Sequence, residues 1–211
     1  KRSNLNLIWG CSSKVTTVDR QTLKIMREAG CIQIDFGVER GSDQALNLIK
    51  KGINLKTIKK VFRDCRVLGI RTFANMLVNL PGETDEDLND ILSLLKEIKP
   101  TLVSINIFTP YPGTEIFETF PRGISKNDYP KLMASPIDLI NNEPEKYRFS
   151  SSTVDLGKWV VENNKKYNRT WPHLVFHLSP FYLSNLISSK KKFDYLKMAW
   201  SLAQEFFNQK F

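Results

Sequence analysis

Three sets of residues in this chain have types and spacings that could do chemistry. The cysteines stand at positions 11, 31 and 65, an odd number at wide spacing that suits neither a disulfide framework nor a Cys-x-x-Cys metal loop. That usage fits a reducing, cytoplasmic compartment. His173 and His177 are four apart, as metal ligands on one helix face would be, but Pro172 precedes them and Leu174, Val175 and Phe176 separate them, which favours ordinary packing. The third set is a polar series threaded through apolar runs. In Ile32-Gln33-Ile34-Asp35-Phe36-Gly37-Val38-Glu39 the apolar side chains alternate with polar residues or glycine, so an extended chain here has one apolar and one polar face. Asn75 and Asn79, then Ser104 and Asn106, repeat the pattern in two later runs. Such a face suits a lumen that holds a polar ligand; the structural alternative is an edge strand facing water.

The elements that must position these residues follow from apolar spacing and helix punctuation. Strands are predicted over 5–9, 32–38, 70–78 and 102–108. Asp19 caps a helix carrying Leu23 and Met26 that ends at Gly30; Ser42 and Gly52 bracket the next. Asn54 and Gly69 bracket a third, with Ile58, Val61, Phe62, Cys65 and Leu68 on one face. Thr84 and Asp87 read as a capping box before a stripe of Leu88, Ile91, Leu92, Leu95 and Ile98 that stops at Lys99-Pro100. Strands alternating with helices predict a parallel sheet, either doubly wound or part of a β/α barrel. The polar alternation within the strands favours the barrel, because a doubly wound sheet is covered on both faces and reads apolar throughout.

The chain has 211 residues, 41% hydrophobic and 25% charged, which excludes disorder and collagen and leaves room for a core. No apolar run reaches the ~18 residues of a spanning helix; the uncharged stretch 174–189 is broken by Pro180. The opening Lys1-Arg2-Ser3-Asn4 leads into Leu5-Asn6-Leu7-Ile8-Trp9 with no initiator methionine or leader pattern, and the expectation is a fragment of something longer. The net charge of +9 sits mainly in residues 121–211, with 14 basic against 8 acidic residues, compared with 17 against 14 in 1–120. Only Lys190-Lys191-Lys192 forms a run of three, so a solvated face is favoured over a nucleic-acid site. Pro121, Gly123, Pro130, Pro136 and Pro144 mark irregular connections, and helices are predicted at 159–167, 181–187 and 193–207. The last of these, with Phe193, Leu196, Trp200, Ala203 and Phe207 at helical spacing, docks on the rest of the protein or, alternatively, makes peripheral contact with a membrane surface. The predicted organisation is a β/α part over 1–120 and a mainly helical part over 121–211.

Five phrases occur in order: Ala29-Gly30-Cys31, Phe36-Gly37-Val38-Glu39-Arg40-Gly41-Ser42, Ile49-Lys50-Lys51-Gly52, Leu80-Pro81-Gly82-Glu83-Thr84 and Pro112-Gly113-Thr114. Together they resemble the central part of the radical S-adenosylmethionine (radical SAM) enzymes, in the branch that includes cobalamin-dependent members, and residues 178–207 loosely resemble the helical extension that follows the barrel there. The resemblance implies an α/β fold, a partial TIM-like barrel of six βα units followed by an α-helical C-terminal extension. It also implies a 4Fe-4S cluster, bound by three cysteines near the first strand, that reduces S-adenosylmethionine to a 5′-deoxyadenosyl radical. The family's Cys-x-x-x-Cys-x-x-Cys loop and the glycine-rich turn after its second strand are not in this sequence. The chain therefore reads as starting at the family's third strand. The cluster ligands and any cobalamin domain are expected in a missing N-terminal part of the same protein, and the fragment alone is expected to be inactive. A cluster needs closely spaced thiolates, whereas the nearest two cysteines here are twenty residues apart.

Carried over residue by residue, the resemblance puts Glu39 at the ribose hydroxyls, where a carboxylate can accept from two vicinal donors. It puts Lys51 facing the carboxylate of S-adenosylmethionine, Asn75 on the ribose or adenine side, and the backbone of Leu80, Pro81 and Gly82 near the adenine. Tyr111, in the loop after the fourth strand, would line the mouth for a small-molecule substrate, on the side where barrel enzymes carry their sites. Structural alternatives stand beside these roles: a solvated strand-end carboxylate for Glu39, a lysine favoured by the helix dipole for Lys51, a turn for Gly82, and packing for Tyr111. Two rivals come from other classes. One is a cluster-free, barrel-derived binding module using its basic tail on RNA or an anionic membrane surface. The other is a conventional barrel lyase or aldolase with Lys51 as Schiff-base lysine, disfavoured because Lys51 falls at a predicted helix end instead of a strand end.

Overall fold

The computed structural model describes residues 7–111, 113–119, 124–128, 130–131 and 136–168; the histidine pair, the Lys190-Lys191-Lys192 run and the helices expected at 181–187 and 193–207 lie outside them. One sheet runs in the order β1 (Trp9–Ser13), β2 (Cys31–Glu39), β3 (Arg71–Val78), β4 (Leu102–Ile107), every neighbouring pair parallel. Parallel neighbours need a crossover. These are α1 (Arg20–Glu28), the pair α2 (Asp43–Leu48) and α3 (Leu55–Val67), and α4 (Asp85–Ile98). Their starts are chemically set: Asp19 accepts from the Thr22 N–H at 2.7 Å, Ser42 from Ala45 at 3.2 Å and Asn54 from Thr57 at 2.8 Å, while Thr84 and Asp87 bond reciprocally as a capping box.

The first strand departs from its expectation. The apolar run over 5–9 suggested it, but the residues that pair with β2 are Trp9–Ser13, and Leu7 and Ile8 are exposed. A strand at the end of a sheet is defined by its hydrogen bonds, and after Trp9 the pairing residues Gly10-Cys11-Ser12-Ser13 are small, which an apolar pattern overlooks.

The two faces of the sheet differ. Ile34, Phe36 and Val38, Ala74, Met76 and Val78, and Val103, Ile105 and Ile107 are buried with Leu23, Ile58, Phe62, Leu88, Ile91 and Leu95 of the helices. Phe36 meets Phe62 of α3 with ring centroids 5.3 Å apart. Each large side chain so buried contributes roughly 1.5–3 kcal/mol. The alternate positions Gln33, Asp35, Gly37, Glu39, Asn75, Ser104 and Asn106 remain partly or fully exposed.

After β4 come α5 (Glu115–Thr119), a short 3-10 turn (Lys126–Asp128), α6 (Pro136–Asn142), α7 (Pro144–Tyr147) and α8 (Leu156–Asn168). The link between α7 and α8 is hydrogen-bonded to the end of β3, and α8 closes the edge of β4. The Asn164 carboxamide accepts from the Ile105 N–H at 2.8 Å and donates to the Ile105 carbonyl at 3.0 Å, occupying both main-chain groups that Ile105 would offer a fifth strand. The compact unit that carries the sheet extends to Lys165. Among the described residues no helix is long and apolar enough to cross a membrane.

Candidate functional site

β2 ends in a turn that its sequence does not favour. The Arg40 N–H donates to the Val38 carbonyl at 2.9 Å across Glu39, whose φ is 69°: a γ-turn with a glutamate at positive φ, which costs on the order of 1–3 kcal/mol. The turn folds the Glu39 side chain back over Gly37, where a Cβ would meet Glu39 Oε1 at 2.7 Å and Lys51 Nζ at 3.1 Å. A side chain at 37 would push both tips aside, so this placement of the pair goes with glycine. Lys51 reaches it because α2 closes with a Schellman motif, Lys51 N–H to Leu46 carbonyl at 3.1 Å and Lys50 N–H to Asn47 carbonyl at 2.9 Å, with Lys50 at φ 51°. Lys51 Nζ donates to Glu39 Oε1 at 2.7 Å, and the two side chains keep 27% and 20% of their surface. An ion pair so exposed is worth about 0–1 kcal/mol, which does not offset the strained turn. Among the described residues the Glu39 carboxylate has no further hydrogen bond, so its second oxygen is left for a ligand or water.

The register extends this site across the sheet. Asn75 lies opposite Gly37, and Ser104 of β4 opposite Asn75; Ser104 Oγ donates to Asn106 Oδ1 at 3.1 Å. Glu39, Lys51 and Asn75 thus share one face, at and near the carboxyl ends of parallel strands, where α/β folds bind ligands.

The Leu80–Gly82 turn lies past the end of β3. Leu80 is buried, and the Glu83 N–H donates to its carbonyl at 3.1 Å with Pro81 and Gly82 (φ 74°) between them, the pattern of a type II turn. What lies beneath is a closed polar junction. Arg40 and Glu83, 3% and 2% exposed, form an ion pair, and Arg40 also donates to the Leu77 carbonyl at 3.0 Å. Glu83 accepts from the Asn79 N–H at 2.9 Å. The Asn79 carboxamide donates to the Tyr147 and Phe108 carbonyls at 2.9 and 3.3 Å and accepts from the Phe149 and Ser150 N–H groups at 2.9 and 3.3 Å. Asp85 receives Ser152 Oγ and, at 2.6 Å, Thr153 Oγ1, bonds that hold its carboxyl below the usual 3.8. Tyr111 is half-exposed after β4, its carbonyl accepting from the Thr114 hydroxyl at 2.7 Å. Arg40, Glu83 and Asn79 carry no sequence signal of burial; an asparagine just past a strand and before Leu80-Pro81-Gly82 signals only a positive φ.

A family model for the radical SAM superfamily matches residues 3–112. The chain belongs to that superfamily. An uncharacterised methyltransferase of Pyrococcus horikoshii is 30% identical over 118 residues, 56% of this chain and 26% of that protein. The anaerobic magnesium-protoporphyrin IX monomethyl ester cyclase of Rubrivivax gelatinosus is 25% identical over 183 residues, 85% of this chain and 31% of the cyclase. Among solved structures, the Elp3 protein of the archaeon Methanocaldococcus infernus matches in fold with a TM-score of 0.51, covering 76% of this chain and 42% of that one at 16% identity. The chain thus spans 26% and 31% of these two curated relatives. The parallel sheet with helical crossovers is an α/β architecture, the fold in which the Elp3 structure matches.

The superfamily uses S-adenosylmethionine and a 4Fe-4S cluster, and the described residues fit these two groups unequally. Cys31 and Cys65 are buried, which pushes their thiols up to about 11 and about 12, and no three histidine, cysteine or acidic residues among the described ones could hold a metal. A cluster needs thiolates in one place, so these residues do not fit it. S-adenosylmethionine is different. A carboxylate with an open oxygen, an ammonium and a carboxamide around a glycine floor match its vicinal hydroxyls, carboxylate and nitrogen-rich base.

Proposed function

We propose that this chain forms the S-adenosylmethionine- and substrate-facing wall of a radical SAM enzyme that acts on a small molecule in the cytoplasm. The observation that carries this reading is the Glu39–Lys51 pair folded over Gly37 on the polar face of a parallel sheet. S-adenosylmethionine, when bound, supplies the 5′-deoxyadenosyl group for hydrogen abstraction. Glu39 accepts from its ribose hydroxyls and so fixes the sugar's orientation; Lys51 offers its remaining ammonium donors to the carboxylate end. Asn75 bonds the ribose or adenine side, the Leu80–Gly82 backbone borders the adenine, and Tyr111 borders the substrate. In this reading the cluster cysteines belong to another part of a longer protein. The cobalamin-dependent branch that the five phrases resemble makes a cobalamin domain a further expected part. The protein's contribution is positioning.

The test uses the complete protein, anaerobic, with its cluster reconstituted and a low-potential reductant present. Turnover of S-adenosylmethionine to 5′-deoxyadenosine or S-adenosylhomocysteine supports the reading, and the absence of both products from a cluster-loaded protein ends it.

A further inference from the structure

Glu39 holds its strained turn although its visible partner is weak, so something else must impose it. On its N-terminal side the β2 ladder fixes the chain, with Gly37 opposite Asn75 and, after a shift of register, Glu39 opposite Met76. On its C-terminal side Arg40 points into the protein, and three elements converge on its guanidinium. Nη1 donates to the Leu77 carbonyl at 3.0 Å, near the end of β3, and to the Glu83 carboxylate in the turn before α4; Nη2 lies 3.4 Å from Asp87 Oδ1 in α4. Gly41 then lies so close to the backbone of Asp90 and Ile91 that no Cβ fits. Residues 37 and 40–41 are therefore pinned independently. Between them the register of the ladder shifts, and of the two residues there, Val38 and Glu39, the one at positive φ, 69°, is Glu39.

From this geometry we infer that Arg40 is a positioning residue for the cofactor site: its buried fork of hydrogen bonds holds Glu39 in the γ-turn and so aims the carboxylate over Gly37. Arginine suits the task, since its planar guanidinium makes several directed bonds at once, which a lysine ammonium does not reproduce. The inference rests on the S-adenosylmethionine reading for its ligand, but not for its geometry.

The test is a double-mutant cycle of Arg40→Lys and Glu39→Gln in the complete, cluster-loaded protein, read by calorimetric titration with S-adenosylmethionine. Arg40→Lys is expected to weaken binding about tenfold in the native background and less than about twofold when Glu39→Gln is already present. Equal weakening in both backgrounds overturns the inference, because Arg40 would then serve the fold alone. A crystal structure of Arg40→Lys reads the same claim without ligand. Residue 39 is expected at negative φ with its carboxylate away from Lys51, and an unchanged turn and pair overturns the inference. Should Arg40→Lys not fold, Glu83→Gln, which keeps the arginine and loosens its anchor, carries the same cycle and the same structural comparison. Unchanged affinity in Glu39→Gln alone would remove the S-adenosylmethionine reading, while the crystal structure still decides whether Arg40 sets the turn.

Discussion

β2 and β3 both reach a non-glycine residue at positive φ at their carboxyl ends, Glu39 at 69° and Asn79 at 71°, and the two ends are otherwise opposites. Asn79 is fully buried, and its carboxamide makes four hydrogen bonds to residues 108 and 147–150. Asparagine is also among the residues that tolerate this conformation best. Its strain is small and locally repaid. Glu39 is a poor residue for the conformation, is partly exposed, and meets one partner at the surface. A strained strand end whose own side chain is bonded into the fold is a structural junction; one held by its neighbour with its own carboxylate left open points to a ligand.

Substitutions at the two ends should therefore fail in different ways. Glu83→Ala, which strands the buried Arg40 charge at the β3 junction, should cost about 3–5 kcal/mol in a urea titration; a loss under 1 kcal/mol would mean that the pair is solvated in solution. Asn79→Ala removes partners from two buried N–H groups and should cost about 2–4 kcal/mol by the same measurement. Glu39→Gly, by contrast, relieves the φ 69° strain while deleting a weak pair, and should leave stability within about 1 kcal/mol of the native protein. A large loss there would make Glu39 as structural as Asn79. The junction also has an acid limit. Asp85 has its carboxyl held below 3.8 by Ser152 and Thr153, so its bonds contribute fully above that value and are lost as pH falls through the lowered one. The Thr153 amide, which donates to Asp85 at 2.9 Å, should keep its NMR shift from pH 7 to 5 and move only below about 3.8.

Much of this was legible in the sequence for reasons of range. Caps at Asp19, Ser42, Asn54 and Thr84 act over three residues, and the alternation in β2 acts over two, so both leave local patterns. β1 was displaced because the apolar run ends at Trp9, where the pairing begins, and the pairing residues after it, Gly10–Ser13, are small. The junction was not legible. Asn79 reaches Tyr147, Phe149 and Ser150 across 68 to 71 positions, and no local spacing records that. Arg40 and Glu83 look like surface charges until a fold buries them together. Nor does Asn164 announce itself, since closing the β4 edge takes one carboxamide at a place that only the tertiary structure defines.

The most direct measurement is calorimetric titration of S-adenosylmethionine into the complete protein and into its Glu39→Ala variant, both with the cluster intact by absorbance. Loss of a charge-assisted contact of about 1.5–3 kcal/mol predicts roughly ten- to a hundredfold weaker binding with the fold and the cluster unchanged. Equal dissociation constants for the two proteins would contradict the assignment of the open end of β2 as the cofactor site.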